Sequence, residues 1–258
     1  MKDFPTRAMI LAAGEGRRLR PLTEQVPKCM VPLGGRPLLE YTIERLRGFS
    51  VCDLIINVSY LPEAVQSYFG DGRQWGVRIA YSVEPKPLGT AGGVKKAAWF
   101  FDGPFFVWYG DNLSTCDLAR LYRFHKAKGG LATIALHRRR DPTRSGIVGL
   151  DPHQRMVRFL EKPAKEKIFS RWVNSGIFVL EPRVLDLIPE EGAPDFGRDI
   201  FPALVAEGRP IYGYPFSARE RLWWIDTPKD LRRLEKQAGR VQTLIQQAAG
   251  MSLCNRVA

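Results

Sequence analysis

Through the first half of the chain, short apolar runs alternate with amphipathic stretches. Ala8 to Ala12, Asp53 to Val58, Val77 to Val83 and Pro104 to Trp108 read as strands. Between and after them, Arg36 to Gly48, Pro62 to Phe69, Ala91 to Phe100 and Leu118 to Lys128 read as helices. Leu38, Tyr41, Ile43 and Leu46 fall loosely on one helical face, and Pro37 sits at a first-turn position where proline is tolerated. This alternation predicts βαβ units and a Rossmann-like, doubly wound, mostly parallel sheet with its ligand crevice at the carboxyl ends of the strands. From Leu131 the pattern changes to strands and turns: Leu131 to His137, Ser145 to Leu150, Met156 to Leu160 and Trp172 to Leu180. Helical patterns return at Pro182 to Ile188 and Arg198 to Glu207, followed by a strand at Ile211 to Tyr214. The second half therefore reads as an insertion and extension that completes one mixed α/β sheet within a single domain spanning 1–258. From Pro228 to Ala249 the chain is predicted helical, with Leu231, Leu234, Ala238, Val241 and Ile245 on one stripe. Packing within the chain is favoured for that stripe, with a homo-oligomer contact as the alternative.

Composition narrows the class. A hydrophobic content of 45% and a charged content of 26% suit a globular enzyme, and no apolar run reaches the roughly 18 to 20 residues a membrane span needs. Met1 leads almost directly into the first strand, so no signal peptide is expected. Cys29, Cys52, Cys116 and Cys254 are scattered without C-x-x-C spacing, and the chain has three histidines, which argues against a disulfide framework or a His-based metal site. The expectation is a reduced, cytoplasmic protein. The net charge of +12 invites a nucleic-acid reading, but the cations are spread out apart from the run His137 to Arg140, and no helix-turn-helix, zinc finger or aromatic RNA-binding signature accompanies them.

Chemistry concentrates after the first strand. The run Ala8 to Ala12 ends in Gly14 and Gly16, followed by Arg17 and Arg18, with Lys28 behind Pro27. Glycines after a strand let backbone N–H groups turn around a phosphate, and the cations complete a cradle for polyphosphate. No G-K-[ST] closes the loop, and Leu19 stands where a dinucleotide fingerprint has its third glycine. Later, the strand FFVWYGD ends in Asp111, where a carboxylate can hold a hard divalent cation such as Mg²⁺. An aspartate after a strand is also a common helix cap, a role open to Asn112 and Ser114 as well. LWWIDTPKDL supplies a further carboxylate, Asp226.

The stretch MILAAGEGRRLRPLTEQVPK, with FLEKP and WVNSGIF downstream, resembles the sugar-1-phosphate nucleotidyltransferases of the mannose-1-phosphate guanylyltransferase and glucose-1-phosphate thymidylyltransferase type. Their signature runs approximately L-A-[AG]-G-x-G-[ST]-R-L-x-P-L-T and then P-K, and the likeness extends over residues 8 to 235. It implies the nucleotide-diphospho-sugar transferase fold, here without a C-terminal β-helix, with a nucleotide half near 1–130, a sugar-phosphate half near 131–227 and a helical segment at 228–258. It implies an enzyme transferring a nucleotidyl group from an NTP to a sugar 1-phosphate. Leu11, Ala12, Ala13, Gly14, Gly16 and Arg17 would line the nucleotide. Arg18 would brace the β- and γ-phosphates, and Lys28 would touch the α-phosphate region. Arg17 departs from the usual Thr or Ser and could bind phosphate or swing outward. Asp111 and Asp226 would hold Mg²⁺ jointly. Glu161 and Lys162 would contact a sugar hydroxyl and the sugar phosphate, with Gly146, Asn174 and Gly176 lining the sugar pocket. Tyr109 and Trp224 would form apolar walls, with core packing an equal alternative.

Base recognition would fall to Glu84, Leu88, Gly89 and Thr90, and the L-G-T-A-G form resembles guanylyltransferases. A carboxylate only accepts hydrogen bonds, and guanine offers two adjacent donors, so GTP paired with mannose 1-phosphate or a related hexose or heptose 1-phosphate is favoured. UTP or dTTP stays open, and Glu84 could instead be a surface residue. Polyanionic substrates account for much of the positive charge. The competing classes are a non-catalytic nucleotide-sugar sensor and a nucleic-acid binder.

Overall fold

A computed structural model describes residues 4–254, with side chains described through residue 247. In chain order the strands are β1 (Arg7–Leu11), β2 (Pro32–Leu33), β3 (Arg36–Pro37), β4 (Asp53–Val58), β5 (Arg78–Val83), β6 (Phe105–Tyr109), β7 (Asn112–Ser114), β8 (Ala132–Arg138), β9 (Ile147–Leu150), β10 (Met156–Leu160), β11 (Trp172–Leu180), β12 (Ile211–Pro215) and β13 (Leu222–Trp224). The α-helices are α1 (Leu38–Gly48), α2 (Pro62–Phe69), α3 (Gly89–Lys96), α4 (Leu118–Lys128), α5 (Phe201–Ala206), α6 (Pro228–Glu235) and α7 (Ala238–Cys254). The predicted α/β fold is present, and the chain divides into two compact units built from interleaved segments.

The first unit comprises Met1–Pro87, Trp108–Ala119 and Arg221–Ala258. Here β1 pairs in parallel with β4, and β4 with β5, with Leu11 opposite Asn57 and Asn57 opposite Ser82. The apolar runs of β1 and β4 are near-continuous because these two strands are buried almost throughout. A short antiparallel ribbon joins β7 to β13, with Trp224 opposite Asn112. The C-terminal stripe packs within this unit. Leu231, Leu234, Val241 and Ile245 are all at most 5% exposed, in one cluster with Leu19, Val31, Leu33, Leu38, Tyr41, Leu113 and Ile225, and Ala238 packs against it. The sequence predicted one helix from Pro228. The structure has two, the first opened by a capping box in which Thr227 and Asp230 satisfy each other's backbone N–H groups.

The second unit comprises Leu88–Val107 and Arg120–Glu220. Its frame is antiparallel β8/β11 with β12 parallel to β8, and β9/β10 antiparallel. The ladder between β11 and β8 shifts register between Asn174 and Phe178. The helix predicted over Ala91 to Phe100 is α3 followed by a separate turn at Ala98–Phe100. The one predicted over Arg198 to Glu207 starts earlier, at a wide helical turn, Phe196–Ile200, leading into α5. His125 illustrates how the core absorbs polarity: 1% exposed, it bonds Thr133 at 2.9 Å and Glu181 at 3.2 Å, and burial holds it below the usual histidine range.

Candidate functional site

In the first unit the loop after β1 is held by backbone geometry. Gly16 adopts φ +66°, and a Cβ there would stand 2.8 Å from Lys28 Cβ, so a larger residue is excluded on two grounds. The Gly16 carbonyl accepts from Leu19 N at 2.8 Å and from Thr23 Oγ1 at 2.9 Å. Gly14 has open space around it. Arg17 swings outward: its side chain is 75% exposed and bonds Glu15 through Nε at 2.6 Å and Nη2 at 3.1 Å. Glu15 is correspondingly held below the ordinary carboxylate range by that hydrogen bond.

Four of the expected residues come together. The Lys28 ammonium lies 2.6 Å from Asp111 Oδ2 and 2.9 Å from Asp226 Oδ1, and Arg18 Nη2 reaches Asp226 Oδ1 at 3.1 Å. The β7/β13 ribbon explains the meeting. Because it is antiparallel, the residue before Asn112 and the residues after Trp224 leave at the same end, which brings positions 111 and 226 together. Asn112 and Ser114, considered above as caps, lie instead in β7. Lys28 is buried. Burial alone would lower its pKa, and the charges of Asp111 and Asp226 outweigh this and raise it, so the amine stays protonated. Two hard carboxylate oxygens converging on one cation also suit a Mg²⁺ ion. No group of three or more His, Cys, Asp or Glu able to hold a metal exists among the described residues, so the remaining ligands would be water and phosphate oxygens. Tyr109 and Trp224 are half-buried in this unit. Cys29 is buried, with its thiol pushed up to about 12.

Glu84 is no surface residue. It is 1% exposed, and its Oε1 accepts from Asn57 Nδ2 at 2.8 Å, while Asn57 Oδ1 accepts from the Ala12 backbone N–H at 2.8 Å. Asn57 was missed in the sequence because an Asn inside an apolar strand run carries no motif.

The second unit assembles the other expected residues by shape. Glu161 Oε2 lies where a Cβ on Gly146 or on Gly197 would stand 2.6 Å away. A side chain at either position would push the carboxyl group aside, and at Gly146 it would also meet Phe159 Cζ at 2.5 Å; Gly197 escaped sequence reading. Burial pushes Glu161 above the ordinary carboxylate range, opposed by neighbouring Lys162 and reinforced by Asp195. Lys162 adopts φ +46°, unusual for a residue with a side chain, and its amine is exposed, 3.7 Å from Glu161 Oε1. Asn174 turns Oδ1 onto the Gly176 N–H at 2.8 Å, and its own N–H bonds the Gly146 carbonyl at 2.9 Å, joining three expected residues. The segment expected to read the base is committed locally. Thr90 Oγ1 donates to Asp195 at 2.8 Å and accepts from Phe196 N at 2.9 Å, and the Ala91 N–H bonds the Pro194 carbonyl at 3.0 Å. Gly89 and Leu88 open α3 beside it.

With this geometry in view, the chain belongs to the nucleotidyl transferase family, which it matches over residues 7–237. It is 40% identical over 237 residues to a UTP–glucose-1-phosphate uridylyltransferase of Synechocystis, covering 86% of this chain and 60% of that protein. It is 38% identical over 237 residues to a mannose-1-phosphate guanylyltransferase of Mycobacterium tuberculosis, covering 90% of this chain and 64% of that one. The chain thus spans a little under two thirds of these relatives. The structure of HddC from Yersinia pseudotuberculosis superposes with a TM-score of 0.76 at 22% identity, covering 90% of this chain and 98% of that one, which shows a shared fold. No helix among the described residues is long and apolar enough to cross a membrane.

Proposed function

We propose that this protein transfers a nucleotidyl group from an NTP to a sugar 1-phosphate, releasing pyrophosphate. The observation that carries the reading is the ion cluster of Lys28, Arg18, Asp111 and Asp226 beside the glycine loop. An acceptor phosphate oxygen attacks the α-phosphorus, and the bond to the β-phosphate oxygen breaks. Such a displacement needs charge neutralisation and in-line positioning more than covalent help. Lys28, kept charged by its two partners, neutralises negative charge at the α-phosphate, and Arg18 meets the departing pyrophosphate. Asp111 and Asp226 would hold Mg²⁺, which supplies further neutralisation when bound. Lys162 takes the sugar phosphate and Glu161 a sugar hydroxyl, with Gly146, Asn174 and Gly176 shaping that pocket.

GTP with mannose 1-phosphate or a related sugar phosphate is the favoured pair, supported by the L-G-T-A-G form and the guanylyltransferase relative. A UTP-dependent reading is kept because of the uridylyltransferase relative. Pyrophosphate release measured for every common NTP against a panel of sugar 1-phosphates tests both. Absence of release from any pair removes the reading.

A further inference from the structure

We infer that Asn57 is a positioning residue for the phosphate loop, with Glu84 fixing the direction of its amide. The inference rests on the nucleotidyl-transfer reading and adds to it residues outside the glycine loop and the ion cluster.

Three parallel strands end side by side. β1 stops at Leu11, whose ladder partner is Asn57, and the chain must then leave the sheet to form the loop. The next N–H, that of Ala12, belongs to a residue only 7% exposed and would be stranded without an acceptor. Asn57 Oδ1 supplies it at 2.8 Å. The preceding carbonyl, that of Leu11, accepts from Gly110 N at 2.9 Å, so the take-off of the loop is pinned to β4 on one side and to the residue before Asp111 on the other. The loop and a member of the ion cluster therefore share one anchor point.

An asparagine can do this only in one of its two amide orientations. Flipped, it would aim Nδ2 at the Ala12 N–H, donor against donor. Glu84 decides between them: it follows β5, its own N–H bonds the Val58 carbonyl at 2.8 Å, and its Oε1 takes Asn57 Nδ2 at 2.8 Å. Asn57 is 3% and Glu84 1% exposed, so water does not substitute for either bond. The result is a buried polar line, Glu84 to Asn57 to Ala12, with Glu84 and Ala12 one residue past the ends of β5 and β1 and Asn57 one residue before the end of β4. A carboxyl group spent on orienting Asn57 acts on the nucleotide through the loop. Because loop position sets the geometry of the reacting phosphates, shifts of about 1 Å can cost up to a hundredfold.

The donor and acceptor can be exchanged, which makes the relay testable. Asn57→Asp keeps the acceptor for Ala12 but sets two carboxyl groups face to face. Glu84→Gln keeps an acceptor for Asn57 Nδ2. In the double variant the new carboxylate at position 57 accepts from Ala12 while the new amide at position 84 donates to it, and the line is restored with reversed polarity. The wild type and these three variants would be compared by initial rates, by calorimetric binding of GTP and UTP with Mg²⁺, and by thermal melting. Expected are a KM and Kd for NTP raised about tenfold or more in N57D, with the KM for sugar 1-phosphate within about twofold. In E84Q the rise is about threefold, with the ratio of GTP to UTP unchanged. The double variant returns to within about threefold of wild type. An unchanged NTP affinity in N57D, a double variant no better than N57D, or a base preference altered by E84Q would each overturn the relay. If N57D does not fold, E84Q and the double variant still decide. If the wild type transfers no nucleotide, the proposed function fails, and the calorimetric arm still judges Asn57.

Discussion

The two units hold their charged residues by opposite means. In the first, charge holds charge: two aspartates, a lysine and an arginine cancel formally, and the Lys28 side chain is only 10% exposed. In the second, shape holds charge: Glu161 sits in a slot between two glycines, and Lys162 projects from a left-handed backbone with its side chain 66% exposed. The first arrangement is sensitive to the loss of a charge and the second to the gain of an atom.

The largest effect should come from breaking the ion cluster. Asp111→Asn and Asp226→Asn should each lower the rate on the order of a hundredfold or more, as losses of electrostatic stabilisation do. Each variant leaves Lys28 one carboxylate, so the fold should persist, seen as a cooperative melt with a lowered Tm. Lys28→Ala should depress kcat, because its contact strengthens as charge moves to the leaving group. Full activity of these variants, or of the wild type in chelator without added metal, would remove the cluster from the chemistry.

Next in size, Lys162 should separate binding from stability. Lys162→Ala should raise the KM for sugar 1-phosphate about tenfold, by the logic that lost ground-state contacts appear in KM. Lys162→Gly should do the same while raising stability by about 1 kcal/mol over the alanine variant, since glycine carries no penalty at positive φ. A glycine variant no more stable than the alanine one would show that the left-handed backbone carries no strain.

The glycine slot gives a smaller effect of a different kind. A Cβ on Gly197 would meet Glu161 Oε2 at 2.6 Å, so Gly197→Ala should turn the end of that side chain away, raise the sugar KM and destabilise by about 0.5 to 1.5 kcal/mol, the cost of an off-rotamer side chain. Its cost should fall when Glu161 is also Ala, because the two share one clash. Strict additivity in melting experiments would place the strain elsewhere.

Why the sequence disclosed the first unit's site more fully than the second's follows from the same contrast. Gly14, Gly16, Arg18 and Lys28 lie in one contiguous stretch, where spacing along the chain is spacing in the loop. Asp111 and Asp226 are 115 positions apart, and only the family resemblance paired them; the ribbon that brings them together, three residues per strand, is too short to show periodicity. Gly197 and Asn57 were missed because their meaning is a close approach or one hydrogen bond made by the fold. Thr90 and Ala91 fit a motif, but the structure commits their polar groups to residues 194–196.

The smallest expected effect is a pH dependence of stability carried by Glu161. Its pKa in the folded protein is raised, chiefly by burial, so between the unfolded value of about 4.3 and the folded value the native state binds more of this proton than the unfolded chain. Stability from this group is fully present below about pH 4.3 and is lost as pH rises through the folded pKa. Glu161→Gln carries no proton to lose, so the Tm of wild type minus that of the variant should decline from acid toward neutral pH and then level off. Lys162 opposes the shift, and Lys162→Ala should move the decline to higher pH by removing a nearby positive charge. A difference in Tm that is flat with pH would show that the carboxyl group in the glycine slot titrates as it does in the unfolded chain, and that the slot selects for size without regard to charge.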